Sequence, residues 1–133
     1  MTATDVDVEV TQATLVGGEV VDLVTHDEFG HVTVTAWDAD GVLVGVAWFR
    51  TGNDGHPAVA SIDVTPDHRR RGLGTALLRQ LLAEASARHV RWLTWTQQAD
   101  DLAASRLAKA SDAICARRVD HGRATSAILV RAA

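Results

Sequence analysis

Apolar side chains recur along this chain at two spacings, and the change from one to the other predicts the order of its elements. Val6, Val8 and Val10 alternate with polar residues, so Val6 to Thr14 reads as a first, half-buried strand. Gly18 to Thr25 is ambiguous: Val20, Val21, Leu23 and Val24 fit a short helix about as well as a strand, and helix is the reading adopted. His31 to Trp37 and Val42 to Arg50 alternate again around Asp38-Ala39-Asp40-Gly41, a hairpin connection with glycine where a positive φ is wanted. Thr51 to Pro57 is turn chemistry, and Ala58 to Thr65 is the next strand, closed by Pro66. From Gly72 to Arg88 the spacing changes to three and four through Leu73, Leu77, Leu78, Leu81, Leu82 and Ala85, the pattern of an amphipathic helix. Val90 to Thr96 returns to strand, Asp101 to Ala110 to helix and Ala124 to Arg131 to a final strand. An antiparallel meander followed by a β-α-β crossover makes this an α+β chain, and with neither repeat nor linker in view the expectation is one domain over residues 1–133.

The segment Val64 to Leu78 carries the chemistry: a strand end runs through a basic turn into the amphipathic helix. A helix start leaves about four backbone N–H groups without partners and a partial positive charge, together a site for an anion. Gly72 and Gly74 have no Cβ, so a phosphate can approach those N–H groups closely. Arg69, Arg70 and Arg71 stand beside them, and each charge-assisted bond they make contributes about 1.5–3 kcal/mol. A lone Gly-x-Gly more often marks only a tight turn; here the preceding strand, the arginine run and the long helix coincide. Two other phosphate-binding designs do not fit. A P-loop needs Lys-Ser or Lys-Thr after its glycines, and the single lysine is Lys109; the third glycine of a dinucleotide-binding turn would fall on Leu77.

Composition narrows the field. Hydrophobic residues at 47% and charged ones at 23% describe an ordinary globular chain, and a net charge of −4 offers no general attraction to nucleic acid or anionic membrane. Acidic residues crowd the first forty positions, while His68 to Arg71 is a compact basic cluster suited to a local anion rather than a long polyanion. The single cysteine, Cys115, excludes an internal disulfide and a thiolate metal cage, and the six histidines show no ligand spacing, so no metal is expected. Met1 to Val10 has no signal-peptide pattern and no apolar run approaches the roughly 20 residues that span a bilayer, so the expected compartment is the cytoplasm.

Arg69 to Gly74 fills the pattern R-x-x-G-x-G, preceded by V-x-P at Val64 to Pro66, and in this the chain resembles the acyl-CoA motif of the GNAT superfamily of N-acetyltransferases. The likeness is specific over Val59 to Leu82 and extends more loosely from Val42 to Arg131. It implies a central, mostly antiparallel mixed sheet with a splayed strand pair and flanking helices, and acetyl-CoA or another acyl-CoA as cosubstrate. By resemblance, the cofactor-binding set is Ile62 and Val64 for pantetheine, Arg69, Arg70, Arg71, Gly72, Leu73, Gly74 and Thr75 for pyrophosphate, and Asp101 at the family's asparagine position, which falls on Asp100 or Asp101. The Val64 backbone N–H is the implied oxyanion donor. The acceptor is an amine of a small molecule or protein, attacking directly in a ternary complex, and a homodimer is compatible with this.

Family members often carry a tyrosine as general acid, and this chain has no tyrosine; its position falls on Leu107 or Ala108. Ser105, one helical turn earlier, is the candidate substitute, and Asp63 is the candidate base, with His56, Asp27 and Glu28 as further carboxylate or imidazole options. The missing phenol keeps a second reading in play, an acyl-CoA-binding or regulatory module with weak catalysis. The tryptophans Trp37, Trp48, Trp92 and Trp95 all fall on predicted strands, most of them as packing residues and one or two as possible lining of an acceptor pocket.

Overall fold

The computed structural model describes residues 7–51, 58–69, 71–98, 103–111 and 113–130. Its elements follow in the order β1 (Asp7–Thr14), β2 (Val20–Glu28), β3 (His31–Trp37), β4 (Leu43–Arg50), β5 (Ala58–Val64), α1 (Leu73–Ala87), β6 (Trp92–Gln98), α2 (Ala103–Ala110), β7 (Cys115–Asp120) and β8 (Arg123–Leu129). Among the described residues these strands form one sheet of eight, ordered β1-β2-β3-β4-β5-β6-β8-β7. Every neighbouring pair is antiparallel except β5 and β6. The exception follows from α1, which returns the chain to the sheet as a crossover.

The alternation read from sequence decides which face is buried. Val21 and Leu23 of β2, Val32, Val34 and Ala36 of β3, and Ala47 and Phe49 of β4 are buried together with Leu73, Leu77, Leu81 and Ala85 of α1. Leu78 of α1 turns instead toward Ala108 of α2 and Ile128 of β8 in a smaller cluster. Gly45 of β4 is where the helix comes closest, because a Cβ there would stand 3.0 Å from a Leu77 methyl and 3.2 Å from a Leu73 methyl.

Two sequence expectations are corrected. Residues 18–25, read as helix, run from the β1–β2 turn into strand β2, which pairs with β1 from Val20 to Asp27 and with β3 from Asp22 to Glu28. The apolar pattern fits either state, and the flanking strands, which take up the backbone on both sides from Asp22 to Asp27, decide it for the sheet. The hairpin into β3 was hidden because its turn places Phe29 at φ 53° and Gly30 at φ 83°, and phenylalanine is not a residue that announces a left-handed turn. Strand β7, not foreseen, has the sequence Cys-Ala-Arg-Arg-Val-Asp and is exposed from Ala116 to Asp120. As an edge strand it has little to bury, so it shows no apolar alternation.

A half-buried ionic clamp ties β2 to the end of α1. Arg88 donates from Nε and Nη2 to one oxygen of Asp27, at 2.9 and 2.7 Å, and from Nη1 to both the side chain and the backbone carbonyl of Glu84 at 2.8 Å. Burial works against this charge, but the bonds to Glu84 and Asp27 outweigh it and raise the guanidinium pKa above its ordinary value. Arg88→Met is expected to cost about 1–2 kcal/mol in a urea-unfolding measurement, since it leaves two carboxylates without their partner; an unchanged midpoint would show that the clamp adds nothing.

Candidate functional site

Strand β5 ends at Val64, and the chain then makes a 3-10 turn over Pro66–His68 before entering α1. Gly72 is the N-cap of that helix, in the left-handed conformation at φ 89°, a region costly for any residue with a Cβ. No side chain caps the helix start and no acidic residue lies in its first turn. The backbone ladder begins with the Ala76 N–H bonded to the Gly72 carbonyl at 2.9 Å, so the N–H groups of Leu73, Gly74 and Thr75 precede it. A groove of about 580 Å³ runs beside this turn, with Val16, Arg71, Gly72, Thr75 and Arg79 among its walls.

The second part of the site is a gap in the sheet. Parallel pairing of β5 with β6 is confined to Ala58 with Leu93 and Val59 with Thr94, after which the two strands diverge. The direction of the β5 backbone follows from two hydrogen bonds. Thr65 N–H donates to the Val44 carbonyl at 3.0 Å on the β4 side, whereas the Ala58 carbonyl accepts from Thr94 Oγ1 at 3.1 Å on the β6 side. Successive residues of a strand point their polar groups to opposite sides, so Ile62 and Val64 present their N–H groups to the gap. Their side chains lie on the face covered by α1, because Ile62 pairs with buried Ala47 and Val64 with Gly45.

The remaining candidates are distributed as follows. Asp63 is exposed and alternates to the opposite sheet face from Ile62 and Val64, level with Val46 of β4. Arg69 donates from Nε to the Val64 carbonyl at 3.2 Å, which brings its exposed guanidinium to the end of β5. Arg71 extends the other way, to Glu19 in the turn between β1 and β2, at 3.3 Å. Leu73 is fully buried and contributes only backbone to the surface. A Cβ on Gly74 would stand 3.0 Å from a Leu107 methyl, so this glycine makes room for α2. Thr75 is half-buried in the groove wall. Ser105 lies on α2, its side chain outside the described set, and Arg70, Asp101, Asp100 and His56 are outside the described residues. Of the two positions that fall on the family's tyrosine, Leu107 packs over Gly74, and Ala108 is 0% exposed against Leu78 and Ile128. Asp27 is engaged by Arg88.

Sequence reasoning missed the β1–β2 turn. Val16 N–H donates to the Arg71 carbonyl at 2.8 Å, and Glu19 reaches both His68 and Arg71. About fifty residues separate these partners, and nothing local in the sequence signals their contact; the pair Gly17-Gly18 signals only a turn.

A sheet opened between two parallel strands, with an uncapped, glycine-bearing helix start beside the opening, is the GNAT architecture. The chain belongs to the acetyltransferase (GNAT) family, whose profile matches residues 10–111. It is similar to the mycothiol acetyltransferase of Mycolicibacterium gilvum, with 35% identity over 78 residues, 58% of this chain and 26% of that protein; the match thus spans about a quarter of that relative's length. In fold it resembles the GNAT domain of S. lividans PAT, at a TM-score of 0.77 and 12% identity over 90% of this chain and 96% of that one. A putative acetyltransferase from Salmonella typhimurium, solved with its cofactor acetyl-CoA, superposes at a TM-score of 0.60 and 23% identity over 77% of this chain and 65% of that one. No helix among the described residues is long and apolar enough to cross a membrane.

Proposed function

We propose that the chain transfers an acetyl or related acyl group from its CoA thioester to an amine, by direct attack in a ternary complex. The observation that carries this reading is the pair of Ile62 and Val64 N–H groups turned toward the gap between β5 and β6, next to a helix start with no cap of its own. The backbone amides from Gly72 to Thr75, with Arg69, Arg70 and Arg71, hold the pyrophosphate; the β5 edge at Ile62 and Val64 pairs with the pantetheine amides. The Val64 N–H donates to the thioester oxygen as negative charge builds on it during attack. Asp63, on the helix-free face, accepts a proton from an acceptor arriving from that side.

Departure of the thiolate has no phenol to assist it. A thiol with a pKa near 8.5 leaves tolerably near neutral pH, and Ser105 or water supplies the proton, so turnover is expected to be modest. The absence of any hydroxyl at Leu107 and Ala108 favours the second reading, an acyl-CoA-binding module with weak catalysis. Release of free CoA thiol from acetyl-CoA, followed over a panel of amines that includes the acceptor of the mycothiol acetyltransferases, with mass-spectrometric detection of the N-acetyl product, decides between them. Amine-dependent release with matching product is the expected result. CoA binding without any acetylated product across the panel would retire transfer and leave the binding module.

A further inference from the structure

Glu19 is an anion placed among the cations of the phosphate loop. Its Oε1 lies 3.2 Å from His68 Nε2 and 3.3 Å from Arg71 Nη1, and its Oε2 is 3.3 Å from the same His68 nitrogen. His68 is held from its other side by Thr65, whose hydroxyl is 3.2 Å from Nδ1. The shape of the loop does not depend on this carboxylate. The Val16 N–H to Arg71 carbonyl bond at 2.8 Å ties the two turns together through backbone, and Leu15, 4% exposed, anchors the β1–β2 turn in the core. Glu19 therefore adds charge more than form, and its contact with Arg71 is weak: the guanidinium is 50% exposed and reached by a single nitrogen.

We infer that Glu19 is an internal stand-in for the ligand's phosphate, a residue that sets affinity by occupying Arg71 in the free chain and giving it up to pyrophosphate. The inference rests on the acyl-CoA reading of the loop. When the ligand binds, the Arg71 guanidinium exchanges one carboxylate oxygen for a phosphate oxygen, and the Glu19 charge, left beside a dianion, opposes the complex. Affinity is thus held below what the loop's cations and amides would otherwise reach, which favours release of the CoA product.

Calorimetric titration of the full chain with CoA, and separately with inorganic pyrophosphate, tests this in three proteins. Glu19→Gln should bind both about 1.5-fold to fivefold more tightly, the range expected when a partly exposed ion pair no longer competes. Glu9→Gln removes the same charge from an exposed position on β1 opposite Thr25, about 17 Å along the sheet from the start of β2, and should leave both affinities as they are. Steady-state kinetics on an accepted amine should show KM for acetyl-CoA falling in Glu19→Gln while kcat does not fall. Weaker binding by Glu19→Gln with an unaltered melting temperature would overturn the inference in favour of a carboxylate that supports the loop. Equal tightening by Glu9→Gln would reduce it to net charge. If the wild-type chain binds neither CoA nor pyrophosphate, the acyl-CoA reading fails and this inference with it; wild-type binding with no change in Glu19→Gln removes the inference alone.

Discussion

Thr75→Glu is expected to weaken CoA binding about a hundredfold or more while leaving the melting temperature unchanged or slightly higher. Thr75 is the third residue after the N-cap Gly72, in a first turn that contains no acid. A carboxylate there interacts favourably with the helix dipole, by about 0.3–1 kcal/mol, and glutamate is a better helix former than threonine. The groove beside Thr75 has room for the longer side chain. Stability and ligand binding should therefore move in opposite directions, since the same charge stands where phosphate has to sit. Loss of one charge-assisted bond and the added repulsion amount to about 3 kcal/mol, hence the hundredfold. Gly74→Glu is a poorer choice, because its Cβ would meet Leu107 at 3.0 Å and any loss of binding would be confounded with disturbed packing between α1 and α2. Calorimetry with CoA together with a thermal melt settles the matter: an unchanged dissociation constant in a folded Thr75→Glu variant would remove the start of α1 from the site.

Dephosphorylated pantetheine should bind at least a hundredfold more weakly than CoA, whereas CoA and acetyl-CoA should bind alike. The pantetheine arm offers amides to the β5 edge, but bonds between neutral groups contribute only about 0.5–1.5 kcal/mol net. The pyrophosphate meets backbone N–H groups and arginine, and two charge-assisted bonds alone come to about 3–6 kcal/mol. Competition of each ligand against CoA in the same calorimetric cell measures the difference. Equal affinity for pantetheine and CoA would mean that the strand edge, not the helix start, does the binding.

The elements that could be read in the sequence are those whose signal is local. The leucine ladder of α1, the Asp38–Gly41 turn and the alternation of β3 to β6 each lie within a few residues, and each is present in the structure near the expected bounds. The misread segment at Val20–Val24 has no local signal to separate strand from helix, and β7 has none because its side chains face water. The candidate site divides the same way. The glycine spacing and the basic run are contiguous in sequence, so the helix start could be picked out, but the direction of the Ile62 and Val64 amides depends on which strand pairs on each side of β5. The carboxylate of Glu19 comes to the loop only through the β1–β2 hairpin, a contact fixed by the tertiary fold. Trp37 and Trp48 illustrate a middle case. Their place on strands was legible, while the indole of Trp37 donating to Thr35 at 2.8 Å and the tilted ring contact of His31 with Trp48, centroids 5.3 Å apart, were not.

Because, among the described residues, the two halves of the sheet are paired only through Ala58 with Leu93 and Val59 with Thr94, the mouth of the gap has no ladder bonds to break. Ile62 on β5 and Trp95 on β6 both pack, partly buried, against the main core. On the proposed acyl-CoA reading, exchanging Ile62 or Trp95 for a smaller residue is expected to alter chain-length preference, measured with acyl-CoAs of graded length, without unzipping either half of the sheet.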